Sequence, residues 1–167
     1  MKYAIVYSSQ TGNTRMLAEM IRSTLPEGEC IYFGPPDAAA LAAERIYVGF
    51  WTNQGNCNGE ISAFLQSITG GEVYLFGTAG FGGMREYFDK ILQRVSKNLS
   101  KKVSLIGSFM CQGKMPLSVR QRYEKMRESG DARMPNVQGL IDNFDRALTH
   151  PDHEDLEALK KSIEKLS

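Results

Sequence analysis

Short apolar runs alternate with amphipathic segments along most of the chain, and this alternation limits the available folds more than any other feature. Residues 2–7, 30–33, 45–51, 72–76 and 103–109 are rich in Val, Ile, Tyr and Phe and predict five strands. Between them, Leu17, Met20, Ile21 and Leu25 share one helical face, as do Ile61, Phe64, Leu65 and Ile68. Met84, Tyr87, Phe88, Ile91, Leu92 and Val95 mark a further helix. Pro26 and Gly28 end the first helix, and Gly34-Pro35-Pro36 stops the second strand. Asp37 can cap a short helix over 38–43, and a polar loop is expected over 52–58. Leu156, Leu159, Ile163 and Leu166 predict a last helix behind an Asp152 cap. Strands such as Tyr74-Leu75-Phe76 are apolar on both sides, which suits a parallel sheet covered on both faces. Right-handed crossovers then give a doubly wound α/β fold, a three-layer sandwich.

The 167 residues amount to one domain at roughly 150 residues per domain. Residues 110–151 break the rhythm and form an insertion. Leu117, Val119, Tyr123 and Met126 predict one helix within 116–129, with loop signals at Ser129-Gly130-Asp131 and Pro135-Asn136 after it. Charge nearly cancels, with 20 Lys and Arg against 19 Asp and Glu. That balance gives no support to a nucleic-acid binder, and the apolar content argues against a disordered chain. No apolar run reaches the roughly 18 residues of a membrane span, and the start lacks a signal-peptide pattern, so a cytoplasmic protein is expected. Cys30, Cys57 and Cys111 are odd in number and widely spaced, which fits reduced thiols in that compartment. No metal site is expected, since His150 and His153 lack further ligands in the sequence.

In such sheets ligands bind beyond the carboxyl ends of the strands. Three loops there are unusual. The first, Ser8-Ser9-Gln10-Thr11-Gly12-Asn13-Thr14, joins the first strand directly to a helix. Hydroxyls at Ser9, Thr11 and Thr14 can donate to phosphate oxygens. Gly12 allows a tight turn, and the helix N-terminus offers free N–H groups to an anion. The G-K-[ST] ending of a Walker loop is absent. The second is Trp51-Thr52-Asn53-Gln54-Gly55-Asn56-Cys57-Asn58-Gly59, and the third is Gly77-Thr78-Ala79-Gly80-Phe81-Gly82-Gly83.

Ser9-x-Thr11-Gly12-Asn13-Thr14 resembles the phosphate-binding fingerprint of the flavodoxin family, in its short-chain form. The resemblance covers residues 1–109 and the last helix. It implies a five-stranded parallel sheet in the order 2-1-3-4-5, with FMN held noncovalently at the switch between the first and third strands. It implies that the second loop packs against the isoalloxazine, with Gly55 able to turn its peptide and Asn56 standing where the family carries an acidic residue. Trp51, the only Trp, is a candidate ring contact, and otherwise a strand-end side chain packed under a helix. Phe81 falls on the family's stacking aromatic, with Thr78, Ala79, Gly80 and Gly82 lending backbone groups. Gly83 stands in place of the usual acidic residue. Gln112 and Lys114 lie where they could reach the flavin edge or a substrate.

The function so implied is electron transfer between redox partner proteins, a reductase and an acceptor, with no catalytic side chain required. An FMN-dependent reductase of a quinone or similar small molecule is the alternative that the insertion motivates. A non-redox interaction module on the same fold is the third. One departure from the resemblance is charge. Flavodoxins are strongly acidic, whereas this chain is +1, and residues 84–102 hold Arg85, Lys90, Arg94, Lys97, Lys101 and Lys102 against Glu86 and Asp89. A different partner, or a less extreme low potential, follows as an expectation.

Overall fold

The computed structural model describes residues 1–82, 84–130 and 136–166. The expectations for Gly83, Asp131 and Pro135 lie outside them. The elements run β1 (Tyr3–Tyr7), α1 (Asn13–Thr24), β2 (Cys30–Gly34), β3 (Arg45–Asn53), β4 (Asn56–Cys57), α2 (Gly59–Ser67), β5 (Glu72–Ala79), α3 (Arg85–Ser96), β6 (Ser104–Gln112), α4 (Leu117–Ser129), α5 (Val137–Ala147) and α6 (His153–Glu164). The sheet order is β2-β1-β3-β5-β6, all parallel, with the two-residue β4 antiparallel to the end of β3. Leaving that hairpin aside, the five long strands stand in the expected order 2-1-3-4-5.

The strands alternate their side chains between two cores, as the pleat requires. Ala4, Val6, Val48, Phe50, Val73 and Leu75 meet Ile61, Phe64 and Leu65 of α2 and Ile91 and Val95 of α3. On the other face Ile5, Tyr47, Tyr74 and Phe76 meet Leu17, Ala18 and Ile21 of α1 and Leu159 and Ile163 of α6. Both faces are therefore covered, which is the three-layer sandwich. The sheet centre is held by a reciprocal fit. Gly49 pairs with Phe76 and Phe50 with Gly77. A Cβ on Gly49 would lie 2.3 Å from the Phe76 ring, and one on Gly77 would lie 2.4 Å from the Phe50 ring. Each ring crosses the neighbouring strand where a side chain is missing. The Tyr74 hydroxyl bonds the Ser162 hydroxyl at 2.6 Å, tying the sheet to α6, and burial pushes its pKa up to about 12.

Several boundaries differ from the sequence expectations. The segment over 38–43 is a 3-10 turn, Ala38–Ala42, rather than an α-helix, though Asp37 caps it as expected by accepting the Ala39 N–H. The expected polar loop over 52–58 is mostly strand. Chain pairing carries β3 on to Asn53, and the chain turns back at once into β4. Thr78 and Ala79, expected in a loop, are buried strand residues, because parallel pairing with β6 continues through Ala79 and Gln112. The insertion carries two helices instead of one. The missed α5 buries Val137, Ile141 and Phe144 on one face, but Gly139, Asn143 and two Asp residues dilute its helical signal. α4 and α5 share a small core of Tyr123, Val137 and Ile141 with Val119, Met126 and Leu140 around it. Asp152 caps α6 in a reciprocal capping box with Asp155.

Among the described residues, no helix is long and apolar enough to cross a membrane.

Candidate functional site

The first loop leaves β1 at the carboxyl edge and enters α1 within six residues, so its backbone amides are aimed past the end of the sheet. Gly12 is the N-cap of α1, in left-handed geometry with φ 87°. It has no side chain to cap the helix. Ser9 supplies a substitute, its hydroxyl accepting the Arg15 N–H at 3.3 Å. Asn13 and Thr14 are buried. The Thr14 hydroxyl is spent internally, bonded to the Phe50 carbonyl at 3.2 Å and lying 3.3 Å from the Thr78 hydroxyl. Thr14 is thus left with its amide to offer an anion. Thr52 completes the lattice, donating to the Thr78 carbonyl at 2.8 Å.

Thr11 and Asn13 point elsewhere. The Thr11 hydroxyl and the Asn13 amide group both donate to the Lys114 carbonyl, at 3.2 and 2.8 Å. Two donors from the loop thus converge on a single oxygen, as they would on a phosphate oxygen. The Asn13 Oδ1 atom is buried with no partner, and so is Asn58 Oδ1 at the start of α2. An orphaned acceptor beside two convergent donors fits a ligand that carries both an anion and hydroxyl groups.

Gln10, Thr11, Asn13, Trp51, Thr52, Thr78, Ala79 and Gly80 line one cavity together with residues 113–116. Its volume is about 70 Å³. Ligand pockets commonly run to several hundred Å³, so the donor set fits FMN but this arrangement of residues 113–116 does not leave room for an isoalloxazine. Ser9 and Gly12 line a separate cavity of about 470 Å³ with Tyr7, Ser8, Arg15, Pro35 and Glu60. That one is larger, yet neither Trp51 nor Gly80 lines it.

The second loop divides. Trp51 is half-buried and lines the smaller cavity, and Thr52 lines it too. Asn53, Gln54, Gly55 and Asn56 do not. They form the tip of the β3–β4 hairpin, where Gln54 and Gly55 have φ 51° and 79°, both left-handed as a tight hairpin turn requires. Arg94 of α3 donates to the Gly55 carbonyl at 3.0 Å, so that carbonyl faces α3. Asn56 turns its side chain back to accept the Cys57 N–H. Of the third loop, Phe81 stands 42% exposed at the rim, while Gly82 lies against Gln112.

The residues least legible in the sequence come from the insertion. Gln112 and Asn143 each donate to the Gly80 carbonyl, at 3.0 and 3.1 Å, and Gln112 also donates to Asn143 Oδ1 at 3.1 Å. Asn143 is buried and reaches the third loop from 63 positions away, so no local signal marks it. Lys114 and Gln112 lacked a fingerprint; only their place after the last strand pointed to them.

The two buried thiols, Cys57 and Cys111, are poor nucleophiles here. Burial pushes both the Cys111 and the Cys57 thiols up, Cys111 furthest, with Asp155 and Asp152 adding to it. His150, Asp152 and Asp155 bring three ligand-type atoms within 4.8 Å of one another. Both carboxylates already accept backbone N–H groups in the α6 capping box, and His150 Nδ1 is 2.7 Å from Asp155.

A family model described as a flavodoxin domain matches residues 4–164. The chain is 43% identical to the flavodoxin-like domain-containing protein BilS of Clostridium symbiosum (strain WAL-14163), covering 96% of this chain and 93% of that protein. It superposes on a short-chain flavodoxin associated with a non-canonical PDU bacterial microcompartment with a TM-score of 0.63, at 18% identity, covering 99% of this chain and 96% of that one. A flavoprotein in complex with FMN from Lactobacillus acidophilus NCFM matches with a TM-score of 0.50, at 18% identity, over 66% of this chain and 93% of that chain.

Proposed function

The chain belongs to the flavodoxin family, and from that premise we propose that it binds FMN and carries electrons between redox partner proteins. The observation that carries this reading is the convergence of Thr11 and Asn13 on one acceptor oxygen beside a helix start whose N-cap residue, Gly12, has no side chain. The FMN phosphate takes that acceptor position, held by Ser9, Gln10, Thr11, Gly12, Asn13 and the Thr14 amide. Trp51 and Phe81 cover the ring with Thr52, Thr78, Ala79, Gly80 and Gly82 around it, and the turn at Asn53, Gln54, Gly55 and Asn56 closes the edge nearest α3. Bound FMN accepts one or two electrons, so the protein's part is to bind, orient and exclude water. No side chain needs to move a proton. The cytoplasm, where thiols stay reduced, suits three cysteines without disulfides.

Steady-state turnover tests the carrier role. Reconstituted protein with NAD(P)H and a quinone should turn over negligibly until a separate reductase is added. Substantial turnover by the protein alone favours the second reading, an FMN-dependent reductase of a small organic substrate. The insertion favours that reading, because it reaches over the ring site to grip Gly80, which a bare carrier does not require.

A further inference from the structure

Residues 113–116 form a strap that leaves β6 and crosses the mouth of the phosphate loop before α4 begins. Its first two residues are tied down. The Gly113 N–H donates to the Ala79 carbonyl at 2.9 Å, and the Lys114 N–H donates to the His150 carbonyl at 3.0 Å. The second of them also sits on the loop. The Lys114 carbonyl takes both the Thr11 and Asn13 donors. Gly113 is buried so closely that a Cβ there would lie 2.4 Å from the Asn13 side chain. Met115 fills the space over Gly80, where an added Cβ would meet its sulfur at 2.5 Å. All four residues of the strap line the smaller cavity.

We infer that the strap and the FMN phosphate compete for the Thr11 and Asn13 donors, so that FMN enters only as residues 113–116 lift. The inference rests on the FMN reading above. Its physical basis is that the O–H and N–H now aimed at the Lys114 carbonyl cannot converge on a phosphate oxygen in that same place. Apparent affinity is the intrinsic affinity reduced by the fraction of molecules with the strap lifted. The Lys114 N–H is also tied to His150, between α5 and α6, so lifting the strap loosens the root of the inserted helices. Occupancy of the phosphate loop is thereby communicated to the α4–α5 pair, the part of the molecule that sets this chain apart from a plain five-stranded sandwich.

Two measurements on the full chain test this. Trypsin cleavage after Lys114, followed by mass spectrometry, reports how often the strap lifts. FMN affinity is measured for the wild type, for Gly113→Ala, which unseats the strap against Asn13, and for Met115→Ala, which removes its anchor over Gly80 without touching the phosphate loop. Competition predicts that FMN speeds the Lys114 cut on the order of tenfold while riboflavin, which lacks the phosphate, does not. It also predicts FMN binding on the order of tenfold tighter in Met115→Ala. Tight FMN binding with an unchanged Lys114 cut, or with both variants binding no better than wild type, overturns the strap and leaves the FMN reading standing. Failure of FMN to bind wild type and both variants overturns the FMN reading, and the competition with it.

Discussion

At the residue scale, this fold depends on glycines that make room for rings. Gly49 and Gly77 are opposite Phe76 and Phe50, all four at the sheet centre. Gly49→Ala forces a methyl into the Phe76 ring, and the close-packed core cannot give way on both faces at once. Overpacking of this kind costs about 1–3 kcal/mol or more, so chemical denaturation should show a midpoint well below wild type with the slope retained. A variant of wild-type stability would show that the ring can swing clear. The same scale explains what the sequence concealed in the site. Thr11, Asn13 and Thr14 look equivalent as phosphate ligands in the fingerprint. Their side chains divide, because Thr14 bonds the Phe50 carbonyl and meets Thr78 while the other two reach the Lys114 carbonyl. No spacing rule carries that distinction.

At the element scale, strands and long helices were legible because buried parallel strands and one-faced helices leave strong periodicities. Loops after β3 and β5 were misjudged, since ladder pairing with a neighbour extends a strand through polar residues such as Thr52, Asn53 and Thr78. α5 was missed because tertiary packing, not propensity, holds it. Its grip on the site is testable. Asn143→Ala removes a buried donor to the Gly80 carbonyl, so FMN affinity should fall several-fold with the fold intact by circular dichroism; unchanged affinity would confine Asn143 to a structural role. α4 and α5 are also joined by Arg120, which donates to Asp145 at 2.9 and 3.2 Å. Hydrogen bonding and charge from Arg120 hold the Asp145 carboxyl below the usual carboxylate range. A depressed carboxylate stabilises fully above its unfolded pKa of about 3.9 and loses that contribution as pH falls through its folded value. The stability gap between wild type and Asp145→Asn should therefore be present at pH 6 and close below about pH 4, in urea titrations across that range. The pair is exposed, so the gap is small; a gap that widens in acid would refute the assignment.

At the scale of the whole molecule, family and architecture were legible from one fingerprint and one rhythm of strands, while the charge pattern set this chain apart. A net charge of +1, with Arg94 holding the Gly55 carbonyl, gives the site less negative surroundings than a strongly acidic flavodoxin has. Reduction places negative charge on the flavin, and fewer nearby carboxylates oppose it less. The lower of the two one-electron potentials of bound FMN should accordingly be less negative than in acidic members; spectroelectrochemical titration giving an equally low value would remove charge from the explanation. All of this stands on the cofactor. The direct measurement is titration of the purified protein, stripped of flavin, with FMN, followed by quenching of flavin fluorescence and by the visible spectrum. Saturable binding of one FMN per chain with a shifted yellow absorption band is expected, abolished or greatly weakened by replacing Thr11 and Asn13 with Ala. A protein that stays colourless in excess FMN, with free-flavin fluorescence unchanged, would contradict it.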